Sequence, residues 1–244
     1  MWEGRAEAKI VITICCVFVR GYVRDFRECG PRYVQSLASM VKRYMDRPYR
    51  FICLTDYEGR LYGSNLKTIR IPSAPGIGKR MSPNYPCGDK VFPWWQKLHC
   101  FNAAHEFSGR MLYLDLDTLI VAPLAPIIDY PSTFALVPHA GDFNGRFRMR
   151  VVKKFNSSVM VWDAGVNDSL FSEWKPHVAI DLHGDQDWIG QQAPNADAMP
   201  LKWFPRISEL GMDGPTPDAK VVLMKNPKNT IASEWYSWVR EAWM

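Results

Sequence analysis

The sequence predicts an α/β protein whose sheet is mostly parallel and is covered by helices on both faces. Apolar, β-branched runs alternate with stretches of helical periodicity through the first half of the chain, an order that is typical of parallel sheets. The 244 residues are 47% hydrophobic and 23% charged, which suits an ordered core and argues against a disordered chain. No linker or internal repeat interrupts the pattern, so we expect a single domain over residues 1–244.

The clearest elements lie in the first half. A strand is expected at 10–19, the longest apolar run, and a helix is expected to open at Gly30-Pro31, because proline suits a first helical turn. The other elements expected in this half are strands at 50–54, 66–71 and 111–114 and a helix at about 94–107. In the less regular second half we expect strands at 134–137, 158–162 and 221–224. Ligands bind beyond the carboxyl ends of such strands, so the functional site is expected there.

Cysteine spacing and hydropathy indicate the compartment. The six cysteines show no Cys-x-x-Cys spacing, so we expect reduced thiols rather than a disulfide framework or a zinc site. No apolar run reaches the roughly 20 residues of a membrane-spanning helix, and the leading residues do not resemble a secretory signal. We therefore expect a cytoplasmic protein without membrane association, in the host cytoplasm if a phage encodes it. The net charge of +5 permits an anionic partner without requiring one.

Two carboxylates, Asp115 and Asp117, interrupt the apolar run 111–121. Burying them without partners would be costly, so they need a cation, strong hydrogen-bond donors or an exposed position at a strand end. A hard divalent ion such as Mn²⁺ or Mg²⁺ suits carboxylate oxygens and could bridge them to a diphosphate. The plainer alternative is a pair of aspartates in a surface turn, since the D-x-D pattern is weak alone and recurs at Asp185 and Asp187.

The second acidic motif is Asp185-Gln186-Asp187. Negative charge or a carbonyl oxygen stabilises positive charge that develops close to it, so the triplet could act at a reacting centre. The alternative is a helix N-cap before Trp188.

A basic loop occupies residues 145–154, with five cationic residues and no acidic one. Arg146, Arg148 and Arg150 could bind the phosphates of an anionic acceptor, and Phe147 could add a stacking face. An ordinary solvated loop is the alternative.

Six segments occur in the order that they have in the GT-A nucleotide-sugar glycosyltransferases. They most resemble the retaining family-eight group, which includes glycogenin-like and galactosyltransferase enzymes. The segments are Leu54-Thr55-Asp56, Trp95-Gln96-Lys97-Leu98, Tyr113–Leu119, Phe155–Val161, Gly184–Asp187 and Asn226-Pro227-Lys228. The resemblance implies the GT-A fold, with a nucleotide-binding half at about 8–122 and an acceptor and sugar half at about 123–244.

The resemblance also implies roles for single residues. Asp115 and Asp117 would bind Mn²⁺ or Mg²⁺, and the catalytic residues would be Asp185, Gln186 and Asp187. The donor would be bound by Thr55, Asp56, Lys97, Asp115, Asn156, Ser157 and Lys228. Two positions depart from the family. The family often has Ser/Ala-Gly after the asparagine, where this chain has Ser157-Ser158, which is a small change. Met224 stands where a histidine is expected as a third metal ligand, and a thioether is a poor ligand for a hard ion. His183 is a weak substitute for that ligand.

The predicted function is metal-dependent, retaining transfer of a hexose from a UDP-glucose or UDP-galactose type of donor to a hydroxyl. The favoured acceptor is a 5-hydroxymethylpyrimidine base in DNA, because the basic loop suits phosphates; a cell-surface saccharide is the alternative. An extruded base could stack on Phe143, Phe147, Trp94 or Trp95. The more distant alternatives are a haloacid dehalogenase-type phosphohydrolase and a nucleic-acid-binding protein without enzymatic activity.

Overall fold

The structure is a computed structural model that describes residues 12–19, 26–72, 93–139, 155–175, 178, 182, 184–224, 230–231 and 236–243. The strands are β1 (Ile12–Phe18), β2 (Tyr49–Thr55), β3 (Leu66–Arg70), β4 (Arg110–Leu114), β5 (Thr118–Ile120), β6 (Phe134–Pro138), β7 (Phe155–Asp163), β8 (Asp197–Ala198) and β9 (Val221–Leu223). The α-helices are α1 (Phe26–Tyr44), α2 (Ala125–Ile128), α3 (Ser169–Ser172), α4 (Asp185–Gln192) and α5 (Ser237–Trp243). Short 3₁₀ helices cover Pro93–Phe101, Ala103–His105, Leu201–Trp203 and Ile207–Glu209.

The described strands form one mixed sheet and one small sheet. The larger has seven strands in the order β3-β2-β1-β4-β7-β6-β8. Strands β3, β2, β1 and β4 are parallel neighbours, whereas β7 runs antiparallel to both β4 and β6. The smaller sheet pairs β5 with β9 in antiparallel register. The predicted class, a mixed and mostly parallel sheet with helices, is confirmed.

Both faces of the sheet are buried, and strand β1 shows why. Successive side chains of a strand point to opposite faces. Ile14 and Cys16 pack with Leu37 of α1 in one core, whereas Cys15 packs with Leu98 in the other. Apolar residues at consecutive positions therefore gave the continuous apolar run that marked this strand in the sequence.

The described cysteines, Cys15, Cys16, Cys53 and Cys100, are buried and free. Across the ranges given above, no helix is both long and apolar enough to cross a bilayer.

Two predicted helices differ in detail from the observed ones. The helix expected to open at Gly30 begins at Phe26, but it is interrupted at Gly30, whose φ of 39° is not helical. The α-region is disfavoured for a residue that precedes proline, and Pro31 follows. The helix predicted at about 94–107 is wrong, because the segment forms two 3₁₀ helices. Asn102 separates them with an extended backbone, and its side chain accepts a hydrogen bond from the Ala104 N–H.

Candidate active site

One edge of the sheet brings Lys97 together with acidic residues that the sequence singled out. Asp115 follows the carboxyl end of β4, and Thr55 ends β2. Because β7 is antiparallel to β4, its first residues lie at the same edge, and the Asp115 N–H donates to the Ser158 carbonyl oxygen over 2.8 Å. The expectation that the strand ends would bring these motifs together is met.

Lys97 joins the two acidic motifs. Its Nζ lies 3.0 Å from Oδ1 of Asp115 and 3.2 Å from Oδ2 of Asp185. It also donates to Oγ of Ser157 over 2.9 Å and lies 3.2 Å from the Ser157 carbonyl oxygen. Both Lys97 and Asp185 are buried, at 5% and 3% exposure. One ammonium group therefore binds the first aspartate of each motif.

The charge of Lys97 is stabilised by these partners. Burial by itself lowers the pKa of a lysine, but the charges of Asp115 and Asp185, and their hydrogen bonds, raise the pKa of Lys97 above its ordinary value. The side chain also lies over the ring of Tyr113, with Nζ 5.1 Å from the ring centroid. Lys97 is therefore a fixed positive charge at neutral pH.

Tyr113 and Thr118 hold Asp115 in place. The Tyr113 hydroxyl donates to Oδ1 of Asp115 over 2.6 Å, and Thr118 Oγ1 donates to the Asp115 carbonyl oxygen over 2.7 Å. Tyr113 is buried, and burial together with the charge of Asp115 raises its pKa well above the ordinary value. The hydroxyl therefore stays protonated and remains a donor.

Asp117 is a carboxylate whose charged form is disfavoured by its surroundings. Burial, together with the charge of Asp115, raises the pKa of Asp117 to about 7, although Lys97 acts in the opposite direction. Two close carboxylates of this kind suit a divalent cation, which would favour the ionised form of both. The two carboxylates fit a hard ion as a pair of oxygen ligands. Water or a diphosphate would fill the remaining coordination positions of the ion.

Met224 lies next to Asp117 through a backbone contact. The Met224 N–H donates to the Asp117 carbonyl oxygen over 3.2 Å, and Met224 is 5% exposed. Within the part of the chain that the structure describes, no group of three or more His, Cys, Asp or Glu residues could hold a metal ion. A metal bound by Asp115 and Asp117 would thus have no third ligand of these types among the described residues.

The Asp185-Gln186-Asp187 triplet forms the first turn of α4. Gly184 occupies the N-cap position and Asp185 is the first residue of the helix, so the alternative in which an aspartate is the N-cap residue is wrong. Asp185 and Asp187 are buried and Gln186 is half-buried. Gly184 leaves room for the Trp94 ring, because a Cβ atom at Gly184 would lie 3.0 Å from Nε1 of Trp94.

The other predicted donor residues lie at the same edge. Thr55 is buried, and its hydroxyl oxygen accepts a hydrogen bond from the Tyr57 N–H over 3.0 Å. Asp56, 9% exposed, follows it directly. Asn156 is half-buried on β7, and its Oδ1 accepts from the Ser158 N–H over 2.7 Å. These contacts shape the turns around the site.

Several predicted residues lie outside the described part of the chain. They are Lys228, His183, Phe143 and the residues of the basic loop, Arg146, Phe147, Arg148 and Arg150. Trp95, a stacking candidate in the sequence, is 4% exposed and packs against Trp174, with 5.5 Å between ring centroids. It belongs to the core, so its assignment as a stacking face for a base is wrong.

The hydrogen bond from Tyr113 to Asp115 was not predicted from the sequence. Ser157 was assigned to the donor without its link to Lys97. For Tyr113 a signal existed, because side chains two apart on a strand share a face, and Tyr113 precedes Asp115 by that spacing. The link between Ser157 and Asp185 depends on the packing of β7 against α4, which no local pattern reveals.

Comparisons with known proteins support the fold. No protein-family model and no curated protein sequence matches the chain. A structure of the galactosyltransferase LgtC with donor and acceptor sugar analogues matches 95% of this chain and 93% of its own, at 13% identity and a TM-score of 0.59. An active-site mutant of LgtC matches the same shares at 12% identity and a TM-score of 0.62.

The bifunctional glycosyltransferase WbbM, in its apo structure, matches 90% of this chain at 11% identity and a TM-score of 0.55. This chain spans 46% of the WbbM chain. The resemblance noted in the sequence is therefore confirmed in three dimensions: the chain has a GT-A-like fold, similar over most of its length to that of LgtC.

Proposed function

We propose that this protein is a metal-dependent glycosyltransferase that moves a hexose from a nucleotide-sugar to an acceptor hydroxyl. The observation that carries the proposal is the contact of one buried ammonium, Lys97, with Asp115 at 3.0 Å and Asp185 at 3.2 Å in a GT-A-like fold. A fixed cation between two acidic motifs suits a ligand that combines a diphosphate with a hydroxyl-rich sugar.

The charges of the site suit both parts of such a donor. Lys97 would attract the diphosphate or a hydroxyl of the sugar and stabilise the negative charge that develops on the leaving group. Asp185, buried at the start of α4, would accept hydrogen bonds from sugar hydroxyls. Gln186, half-buried between two buried aspartates, would offer its carbonyl oxygen to the electron-poor anomeric carbon.

Asp115 and Asp117 would hold Mn²⁺ or Mg²⁺. A bound divalent ion would neutralise the diphosphate as it leaves. The hydrogen bond from Tyr113 to Asp115, 2.6 Å long, would orient that carboxylate for the ion. Because Met224 offers no hard ligand, the donor diphosphate would complete the coordination, and metal and donor would bind together.

The acceptor is proposed to be a hydroxyl of a saccharide. The LgtC complex contains an acceptor sugar analogue, and none of the three matched structures is described as an enzyme that acts on DNA. The prediction of a DNA acceptor rests on the basic character of the chain and on the basic loop 145–154, and that loop lies outside the described residues. Duplex DNA with hydroxymethylated pyrimidines is therefore an arm of the test.

The test is release of UDP from UDP-glucose and from UDP-galactose in the presence of Mn²⁺, followed by mass spectrometry of an acceptor panel. Glycosyltransferases slowly hydrolyse their donor, so UDP release with Mn²⁺ and its loss with a chelator are expected. Release of phosphate from a phosphomonoester, without UDP release, would favour the phosphohydrolase instead. A gain of hexose mass on hydroxymethylated DNA, with none on saccharides, would reverse the choice of acceptor.

Variants of the acidic triplet separate chemistry from binding. Gln186→Ala and Asp187→Ala are expected to lower turnover by about 100-fold or more while UDP affinity changes little. Gln192, exposed at the end of the same helix, supplies the matched control Gln192→Ala. If Asp187→Ala lowers only the melting temperature, with normal activity per folded molecule, its catalytic role is excluded.

A further inference from the structure

We propose that Ser157 is a positioning residue, whose hydroxyl joins Lys97 to Asp185 and so fixes the carboxylate that binds the donor sugar. The inference rests on the proposed function and adds a residue whose side chain would act through its neighbours. The supporting observation is a row of three hydrogen-bonded, buried side chains: Lys97, Ser157 and Asp185. They lie on three different elements, the 3₁₀ helix Pro93–Phe101, strand β7 and helix α4.

The direction of the hydrogen bonds follows from chemistry. The ammonium of Lys97 can only donate, so the Ser157 Oγ atom, 2.9 Å away, accepts from it. A hydroxyl has a single hydrogen, and that hydrogen is then directed at Oδ2 of Asp185, 2.5 Å away. The charge of Lys97 thus polarises the hydroxyl, and the hydroxyl donates to a carboxylate, which is the stronger class of hydrogen bond.

The burial of these three side chains makes the Ser157 hydroxyl difficult to replace. Ser157 is 0% exposed, Asp185 is 3% exposed and Lys97 is 5% exposed. When a hydroxyl is removed from such a place, the remaining polar groups lose a partner and have little water to replace it. Oδ2 of Asp185 would keep its contact with Lys97 at 3.2 Å but lose the bond that defines the plane of the carboxylate.

The consequence for function is specific to the sugar. Ser157 would not touch the nucleotide, so nucleotide binding should not depend on its hydroxyl. The other oxygen of Asp185, Oδ1, would meet a sugar hydroxyl only when the carboxylate is held in one orientation. Loss of the hydroxyl should therefore weaken the contribution of the sugar to donor affinity and slow the chemical step, because a small misplacement at a reacting centre is costly.

The experiment compares Ser157→Ala with wild type and with Ser132→Ala. The Ser132 hydroxyl makes hydrogen bonds with the backbone of Phe134 at the opposite end of the sheet. Ser132→Ala therefore controls for the loss of a structural serine hydroxyl. Calorimetry with Mn²⁺ gives the affinities for UDP, UDP-glucose and UDP-galactose, and UDP release gives kcat and KM. For Ser157→Ala we expect UDP affinity within about twofold of wild type and kcat reduced by about 10–100-fold.

A second pair of variants isolates the hydroxyl from the volume. Ser157→Thr and Ser157→Val have the same shape, so any strain from the added methyl group is common to both. The threonine variant should retain more activity and a larger preference for the UDP-sugar over UDP. Equal activity and equal preference for the UDP-sugar in the two folded variants would overturn the proposal. A Ser157→Ala enzyme whose kcat and sugar preference match those of wild type would also overturn it.

The proposed function and the positioning role of Ser157 can be excluded separately. Wild type that binds the UDP-sugar and releases UDP, with no difference in Ser157→Ala, removes the positioning role and leaves the proposed function intact. Wild type that binds neither nucleotide nor nucleotide-sugar removes the proposed function, and the role of Ser157 with it.

Discussion

The backbone N–H of Met224 donates to the carbonyl oxygen of Asp117 over 3.2 Å. This contact continues the pairing of β5 with β9, in which Thr118 lies opposite Leu223. Residue 224 thus lies next to the paired carboxylates, where the family resemblance calls for a histidine. If Asp115 and Asp117 hold a metal as proposed, that site has two protein ligands and should bind the metal weakly without the donor.

Met224→His should therefore tighten binding of Mn²⁺ in the absence of nucleotide. An imidazole is a good ligand for this ion, and the gain expected from a third ligand is about tenfold or more. Calorimetric titration with Mn²⁺ measures it, and Met224→Leu, which keeps the apolar volume, is the control. Tight binding of Mn²⁺ to the wild-type protein without nucleotide would contradict the two-ligand site.

Asp117→Asn should abolish metal-dependent turnover and leave the fold intact. The change removes one charge with almost no change in volume, so we expect UDP release with Mn²⁺ to fall by about 100-fold or more. Mn²⁺ with UDP should raise the melting temperature of wild type and not that of the variant.

The exposed Asp218, which pairs with Lys202 at 3.2 Å, supplies the control Asp218→Asn. That control should keep both the turnover and the thermal shift of wild type. Near-normal turnover of Asp117→Asn at saturating donor would show that this carboxylate does not serve the metal.

Two glycines of one helix should respond to alanine in opposite ways. At Gly184 a Cβ atom would lie 3.0 Å from Nε1 and 3.1 Å from Cδ1 of Trp94, which is closer than the atoms can approach without a shift. Gly184→Ala should cost about 1–3 kcal/mol of stability and lower turnover, because Asp185 follows directly.

At Gly190 nothing lies within 4 Å of the added atom, and the residue is inside α4. Gly190→Ala should therefore stabilise the protein by about 0.5–1 kcal/mol through helix propensity. Urea denaturation measures both variants. Equal destabilisation by the two changes would mean that the Trp94 contact is not what makes residue 184 a glycine.

The parts of this site that could be predicted depend on residues close together in the sequence. The parts that could not be predicted depend on contacts between residues far apart in the sequence. A continuous apolar run predicted β4, and it placed Asp115 at the end of that strand, because local sequence determines both. The hydrogen bond between Ser157 and Asp185 joins residues 28 positions apart, and that between Lys97 and Ser157 joins residues 60 apart. Such contacts depend on how separate elements pack, so the sequence could name the residues through a resemblance but not the bonds between them.

The 3₁₀ helix that carries Lys97 was mispredicted for a similar reason. Its apolar periodicity fits an α-helix, yet Asn102 uses its side chain to bond the backbone two residues on, which ends the helix early. The same segment supplies His99 and His105 to a small aromatic cluster away from the acidic motifs, where His99 lies 4.7 Å from Phe171 between ring centroids.

Acid should destabilise the protein through this histidine pair. Burial, with a smaller effect from His105, lowers the pKa of His99 to about 4, and burial also lowers the pKa of His105. The folded state thus binds fewer protons than the unfolded state between pH 4 and about 6.5, the ordinary pKa of histidine. Stability contributed by neutral His99 is therefore complete above about pH 6.5 and is lost as the pH falls towards 4.

His99→Leu keeps an apolar contact with Phe171 and removes the titration, so its stability relative to wild type should rise as the pH is lowered from 7 to 5. Urea midpoints measured at pH 8, 7, 6 and 5 test this, with no change in the difference expected between pH 8 and 7. A difference between variant and wild type that stays constant down to pH 5 would show that His99 titrates normally in the folded protein.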